Sequence, residues 1–259
     1  MNPYVTVIVP TCDDDLRLEW LLEGLCCQTV KDFEVIVVND AGPICTEALV
    51  SSFKKRLNTN YYYFGKPKKE QRAGATRNYG VYYSVGDLLV FLDTDIVPDP
   101  DLIEAHAAHY LPTACYFGYR RHYPMELVRP FFAPLDYDQL YRFSRPDQRL
   151  GQYCRWMKPE FYLHFYGCNY SIPARIFCEL GGHDERCEGW GGEDIDLSYR
   201  IIQSGYLIYP LWGMGMGTHL DHPKRPHPTV EQVWICNPDE PLVRNGGLFI
   251  RKIEEARMI

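Results

Sequence analysis

The chain has 259 residues, 46% of them hydrophobic, enough to bury one sizeable core or a Rossmann-like core with an extension. A formal net charge of −7 argues against binding a nucleic-acid backbone, because that affinity comes mainly from clustered Lys and Arg. No apolar stretch nears the roughly 18 residues a membrane span needs, and the ten cysteines include no C-x-x-C pair, which leaves no zinc cluster or thioredoxin-type motif.

A buried strand is expected from Tyr4 onward, so no signal peptide is expected ahead of it, and a soluble, cytoplasmic protein is the reading. The thiols, Cys26 and Cys27 on a helix face among them, read as reduced core groups. Any membrane contact would be peripheral. The basic residues around Lys66, Lys68, Lys69 and Arg72 are the nearest thing to a positive patch, and they read as a solvated loop.

Val5 to Val9 is a continuous β-branched run, as a strand buried on both faces requires, and Pro10 is expected to end it. Leu16 to Leu25 carries apolar residues at helical spacing, and Phe33 to Val38 returns to strand. A helix over Glu47 to Leu57, a strand over Tyr61 to Phe64, a helix over Ala73 to Val85 and a strand over Leu88 to Leu92 follow. This alternation predicts an α/β fold with a Rossmann-like, mostly parallel, doubly wound central sheet flanked by helices. Ligands of such sheets sit beyond the carboxyl ends of the strands, where the sequence places Asp13, Asn39, Asp40, Asp93 and Asp95.

From Leu111 to Tyr166 the alternation stops and aromatic residues interleave with arginines, which fits stacking on sugars or bases, or equally a lid whose rings pack on the core. A short helix is expected near residues 247–258. The organisation expected is one compact body, with residues 1–110 binding a nucleotide-sugar donor and residues 111–259 holding the acceptor, a lid and a tail.

No G-x-G-x-x-G follows the first strand and no G-x-x-x-x-G-K-[ST] occurs, so the phosphate cradles of dinucleotide dehydrogenases and P-loop enzymes are missing. A divalent metal must then hold phosphates. Asp93-Thr94-Asp95 puts two carboxylates on one side of an extended backbone, and oxygen ligands of this kind suit Mn²⁺ or Mg²⁺ bridging a diphosphate. In the string Gly213 to Pro223, His219 is the first choice to complete that metal site and His222 the second. Further on in structure, the loop GWGGED from Gly189 to Asp194 has a stacking ring and adjacent acids before an apolar-periodic helix.

VTVIVPTCDDD (Val5 to Asp15), CCQTVKDFEVIVVNDAG (Cys26 to Gly42), RAGATRNYG (Arg72 to Gly80) and GDLLVFLDTDIVPDPDLI (Gly86 to Ile103) together resemble the family 2 glycosyltransferases of the GT-A fold. The resemblance implies a nucleotide pocket formed by Pro10, Thr11, Asp13, Asp40, Arg72, Asp93 and Thr94, with Asp40 on the nucleobase and Arg72 supporting base or phosphates. Asn39 stands where many members carry Asp, which weakens only a ribose-side contact. Phe165 to Ile201 resembles a segment of galactosyltransferase-like enzymes, implying Trp190 stacked on an acceptor ring, Glu193 and Asp194 on acceptor hydroxyls, and Asp194 as catalytic base. Met216 and His219 share those enzymes' M-x-x-H spacing.

The expectation is an inverting transferase. Mn²⁺ or Mg²⁺ on Asp95 and His219, assisted by Asp93, grips a UDP-sugar, with galactose or N-acetylgalactosamine first and glucose or N-acetylglucosamine next. The acceptor is a carbohydrate, peptide or small molecule. The alternatives are a nucleotidyltransferase, disfavoured by the acidic PTCDDD where a basic Gly-rich loop is needed, a carbohydrate-binding protein that has lost catalysis, and a retaining transferase.

Overall fold

A computed structural model describes residues 2–65, 72–129, 135–147, 165, 167–187 and 192–223. Lys66, Lys68, Lys69, Trp190 and the helix expected at 247–258 lie outside the described residues. Along the first part of the chain β1 (Val5–Thr11), α1 (Asp15–Cys26), β2 (Phe33–Asn39), α2 (Cys45–Ser52), β3 (Thr59–Tyr63), α3 (Ala73–Tyr83) and β4 (Leu88–Leu92) alternate as the hydrophobic pattern requires. β1 lies between β2 and β4, parallel to both, and β2 is buried along its whole length. Leu18, Leu21, Leu22 and Leu25 recur at helical spacing on α1 and are fully buried in one cluster with Val7, Val9, Val35 and Val37.

Pro10 does not end β1. It pairs in register with Val38, and the strand continues to Thr11. Thr11 O accepts from Asp40 N on the β2 side, so by alternation Pro10's missing amide faces β4, whose pairing stops at Ile8↔Phe91. No ladder bond is lost there.

The central sheet has seven strands in the order β10-β6-β9-β4-β1-β2-β3, with β6 (Ala114–Phe117), β9 (Asn169–Pro173) and β10 (Leu207–Pro210) from beyond residue 110. The sheet is mostly parallel, but β9 runs antiparallel between β4 and β6. A second sheet, which the sequence pattern did not announce, has the order β5-β11-β7-β8. It is built from β5 (Ile96–Pro98), β7 (Arg120–Tyr123), β8 (Arg145–Pro146) and β11 (Gly217–Leu220). The remaining α-helices are α4 (Leu102–Ala108), α5 (Tyr137–Phe143), α6 (Ala174–Glu179) and α7 (Glu193–Gln203). The stretch after Leu111 therefore contributes strands to both sheets instead of abandoning regular structure.

Cys115, Cys168, Cys178 and Cys187 are buried, whereas Cys27 follows the end of α1 and is exposed, contrary to its expected place on an apolar face. No described helix is long and apolar enough to cross a membrane.

Where β9 enters the sheet, a buried polar network fixes the loops around it. His106 Nδ1 lies 2.8 Å from Ser171 Oγ and its Nε2 3.0 Å from Asn169 Oδ1, while Asn169 Nδ2 donates to Gly215 O at 2.9 Å. Gly118 packs so closely that an added Cβ would sit 2.2 Å from Asn169 Nδ2 and 2.4 Å from Gly215 O. Burial lowers the His106 pKa from 6.5 to about 4. An imidazole whose folded pKa is depressed takes up its proton more readily when unfolded, so the stability it leaves intact at neutral pH is lost as pH falls from 6.5 toward 4. Urea titrations across that window should show a loss of about 3 kcal/mol from His106, at about 1.4 kcal/mol per pH unit, and a flatter dependence in His106→Gln.

Candidate active site

The crevice at the carboxyl ends of β1, β2 and β4 collects the acids, and the short second sheet brings histidines to them. β11 lies between β5, which directly follows the D-x-D string, and β7. Its His219 pairs with Ile96 on one side and His122 on the other, and Leu220 N donates to Asp95 O at 2.8 Å. As a result Asp95 Oδ2 lies 3.5 Å from His219 Nε2 and 3.2 Å from His222 Nε2. One ligand atom from each of Asp95, His219 and His222 falls within 4.8 Å of the others. Asp95 Oδ1 is buried without a hydrogen-bond partner, an orphaned acceptor of the kind a cation satisfies. Although burial works against it, the two imidazoles hold the Asp95 carboxyl well below the usual range, so it stays anionic. One carboxylate and two imidazoles offer an oxygen and two nitrogen donors to a divalent ion. Both histidines thus reach Asp95; Met216 does not join them, since its Sδ faces Arg121 at 3.4 Å.

Asp221 is a residue the sequence reading passed over. Its Oδ1 lies 3.1 Å from His219 Nδ1 and 2.7 Å from His122 Nδ1, and its Oδ2 accepts from Arg145 at 2.8 Å. A proton held on Nδ1 by this carboxylate leaves the Nε2 lone pair of His219 turned to Asp95, an outer carboxylate behind a metal-binding imidazole. Residues two apart on an extended strand share a face, so H-L-D was the available signal. Arg17 of α1 clamps the end of the strand by donating to Leu220 O at 3.2 Å and Asp221 O at 3.0 Å.

Asp93 is held differently from Asp95. Its Oδ1 accepts from Arg77 Nη2 at 2.6 Å, and Arg77 Nη1 donates to Glu193 Oε1 at 2.7 Å. Arg77 is 2% exposed, and its charge is kept by the two acids despite burial. It too was missed, because its signal, one arginine inside the α3 motif, has no periodicity of its own.

α7 starts where expected. Gly192, at φ 99°, precedes it, and Leu197 and Ile201, four apart, are its fully buried apolar residues. Asp194 Oδ2 accepts from Gly167 N at 2.9 Å and its Oδ1 from Ile195 N at 2.8 Å. Burial, then the neighbouring Glu193 charge, push the Asp194 carboxyl up to about 7, with the Gly167 amide and Arg77 opposing them. A carboxylate poised there can take a proton from a hydroxyl. Trp190 lies outside the described residues.

On the nucleotide side, Asp40 accepts from Arg72 Nη2 at 2.6 Å and from Arg72 N at 3.2 Å, and the guanidinium carbon lies 4.6 Å from the centre of the Phe64 ring. Thr11 Oγ1 is buried without a hydrogen-bond partner, whereas the Thr94 hydroxyl donates to Pro10 O at 2.6 Å. Asn39 does more than stand in for a ribose contact. Its amide donates to Pro43 O at 2.9 Å and Tyr61 Oη at 3.0 Å and accepts from Gly42 N at 2.8 Å, work an aspartate could not share because it has no donor. This amide shapes the turn that packs on Asp13, and Asp13 and Ala41 both take positive φ values of 53° and 58°. A Cβ on Gly42 would lie 2.8 Å from Asp13 N. Strained non-glycine residues of this kind gather at ligand sites.

With this geometry in hand, comparison with known sequences is decisive at the family level. The profile of glycosyl transferase family 2 matches residues 6–166, more than half of the chain. The chain belongs to glycosyl transferase family 2. A profile described as the N-terminal domain of galactosyltransferase matches residues 141–223, the part that carries Asp194 and His219. This family 2 chain is 31% identical to validoxylamine A glucosyltransferase of Streptomyces hygroscopicus subsp. limoneus over 96% of its own length and 57% of the relative's. Among solved structures it is similar to S. aureus TarS 1–349 in complex with UDP-GlcNAc (TM-score 0.62, 16% identity, 86% of this chain and 60% of that one). It is also similar to the mannosyltransferase PcManGT from Pyrobaculum calidifontis in complex with GDP-Man and Mn²⁺ (TM-score 0.59, 21% identity, 85% and 57%). The fold is of the GT-A type, and the chain spans under two thirds of the length of these relatives.

If Asp221 sets the His219 tautomer, Asp221→Asn should weaken Mn²⁺ binding about tenfold to 100-fold, read by the fall in free-ion paramagnetic resonance on titration with the metal alone. Arg145→Gln, which touches only the other oxygen of Asp221, should change it little.

Proposed function

We propose that the protein is a metal-dependent inverting glycosyltransferase that moves a hexose from a UDP-sugar to an acceptor hydroxyl. The observation that carries this reading is the pairing of two unlike acids in one crevice: Asp95, anionic beside two histidines, and Asp194, poised near 7 on an amide hydrogen bond. The carboxyl held down suits a cation and the one pushed up suits proton transfer. A divalent ion held by Asp95, His219 and His222 would neutralise the charge of a departing diphosphate.

The chain's own groups account for the other steps. Thr11, Asp13, Asp40 and Arg72 line the pocket at the ends of β1 and β2 where nucleotide ligands of doubly wound sheets lie. Asp194 accepts the proton of the acceptor hydroxyl as its oxygen attacks the anomeric carbon. The bond from that carbon to the diphosphate oxygen breaks, UDP leaves with the electron pair, and a single displacement inverts the configuration. This requires Asp194 to lie across the sugar from the leaving group.

Glucose is the donor sugar to test first. Validoxylamine glucosyltransferases from two Streptomyces strains align over 96% of this chain, which favours glucose over the galactose expected from the sequence alone. The acceptor is a carbohydrate, peptide or small molecule. A buried thiol such as Cys115 fits the reducing cytoplasm.

Calorimetric titration with UDP-glucose, UDP-galactose and their N-acetylated counterparts, with Mn²⁺ and with chelator, tests the donor site. Binding should need both metal and Asp95, and Asp95→Ala should abolish it. UDP-sugar binding without turnover toward any acceptor would favour the carbohydrate-binding alternative. The product's anomeric proton coupling reports inversion, and retention would remove Asp194 as base. Because Asp194 works deprotonated, kcat should rise with pH through a midpoint near 7 and level off above it. Asp194→Asn should lower kcat by about 10²-fold to 10⁴-fold while leaving UDP binding intact.

A further inference from the structure

Arg77 is the most deeply buried cation near the site, and its contacts form a pattern. Nη2 donates to Asp93 Oδ1 at 2.6 Å and to Gly167 O at 3.2 Å, and Nη1 donates to Glu193 Oε1 at 2.7 Å. Gly167 is also the residue whose N–H holds Asp194 Oδ2 at 2.9 Å. One guanidinium therefore fixes Glu193, the residue before Asp194, and grips the carbonyl of the residue whose amide holds Asp194. Its other partner is the donor-side acid at the end of β4. The space is closed: a Cβ on Gly167 would lie 3.1 Å from Arg77 Nη2 and 3.4 Å from Asp194 Cβ.

We propose that Arg77 and Glu193 are positioning residues for Asp194, and that Glu193 acts through Asp194 instead of binding the acceptor, with Arg77 tying this pair to Asp93 on the donor side. This rests on Asp194 being the base of the reading above. Glu193 has an oxygen on Arg77 and its side chain is only 8% exposed, which leaves little of it for a substrate hydroxyl. Burial is the larger force that opposes ionisation of Asp194, and the Glu193 charge beside it along the chain adds to it, so that Asp194 stays basic enough to accept a proton. Among the described residues, the charged groups facing Asp194 are Glu193 from its own helix and Arg77 from α3, with Asp93 beyond Arg77 at the end of β4. The polar groups packed behind them stay neutral: burial raises the Tyr170 hydroxyl on β9 and lowers His183, whose Nδ1 lies 3.2 Å from Glu193 O. Arginine suits the post because its planar fork reaches three acceptors at fixed angles, which a lysine ammonium cannot.

Aspartate-labelled protein titrated by carbonyl-carbon NMR, with Asp194→Asn supplying the assignment, reads the ionisation directly and without turnover. Glu193→Gln keeps the shape and an acceptor for Arg77, and it should move the Asp194 midpoint down from near 7, with burial holding the rest of the elevation. The kcat profile should move with it, while the acceptor KM stays within about threefold of wild type. Arg77→Lys should lower kcat at least about tenfold with a smaller change in acceptor KM. An unmoved midpoint together with an acceptor KM raised about tenfold in Glu193→Gln would make Glu193 an acceptor ligand and overturn the proposal. A shifted midpoint in a protein that transfers no sugar would leave the coupling of Arg77, Glu193 and Asp194 in place and remove the transferase reading on which its catalytic role rests.

Discussion

A guanidinium with 2% exposure and two carboxylates bound to it is the constraint on which the rest of the crevice depends. Breaking the buried arm to Glu193 leaves an uncompensated charge, at a cost of about 3–5 kcal/mol. α3, the end of β4 and the start of α7 are far apart in the chain, and this one cation makes their relative positions a single choice. That choice decides the crevice. Asp93 faces the donor side of Arg77, Glu193 the other, and Gly167 is held between Arg77 and Asp194.

The second sheet solves a different problem, because an acid at the end of a parallel strand has no histidine within reach from its own half of the chain. β11 supplies one by pairing antiparallel with β5, and the backbone bond from Leu220 N to Asp95 O fixes its register. A slip of one residue would turn His219 to the opposite face of the sheet. The Arg17 contacts to Leu220 O and Asp221 O, made from the first turns of α1, tie that register to the loop that carries Asp13.

What the sequence disclosed follows from how local each signal is. β1, β2 and β4 were legible as apolar runs, whereas β3, Thr59–Tyr63 with only its first residue buried, begins two residues ahead of the expected Tyr61; the acids at the strand ends then fell into one crevice by topology. The start of α7 was legible from Gly192 and the adjacent acids. The antiparallel insertion of β9, five residues long, and the small sheet, with strands of four residues or fewer, were not, because runs this short carry too little periodicity to name a partner. Arg77 and Asp221 were hidden for the same reason. Their meaning lies in contacts 116 and 99 residues away along the chain, to Glu193 and His122. Asn39 was weighed only against a ligand, because its contacts to Pro43, Tyr61 and Gly42 of its own chain leave no pattern in the sequence.

The crevice acids are chemically alike, and the fold makes them different. Asp95 sits against two imidazoles and stays charged; Asp194 is buried beside another carboxylate and resists charge until near neutral pH. If the environments were exchanged, the cation ligand would be half protonated at neutral pH and the base too weak to remove a hydroxyl proton. Division of labour between carboxylates thus follows from what each is packed against, and both environments are made by residues remote in sequence: His219 and His222 for Asp95, Arg77 and Gly167 for Asp194. Substitutions in those supporting residues would change the chemistry as surely as substitutions in the acids, since they set the charge that each acid carries when substrate arrives.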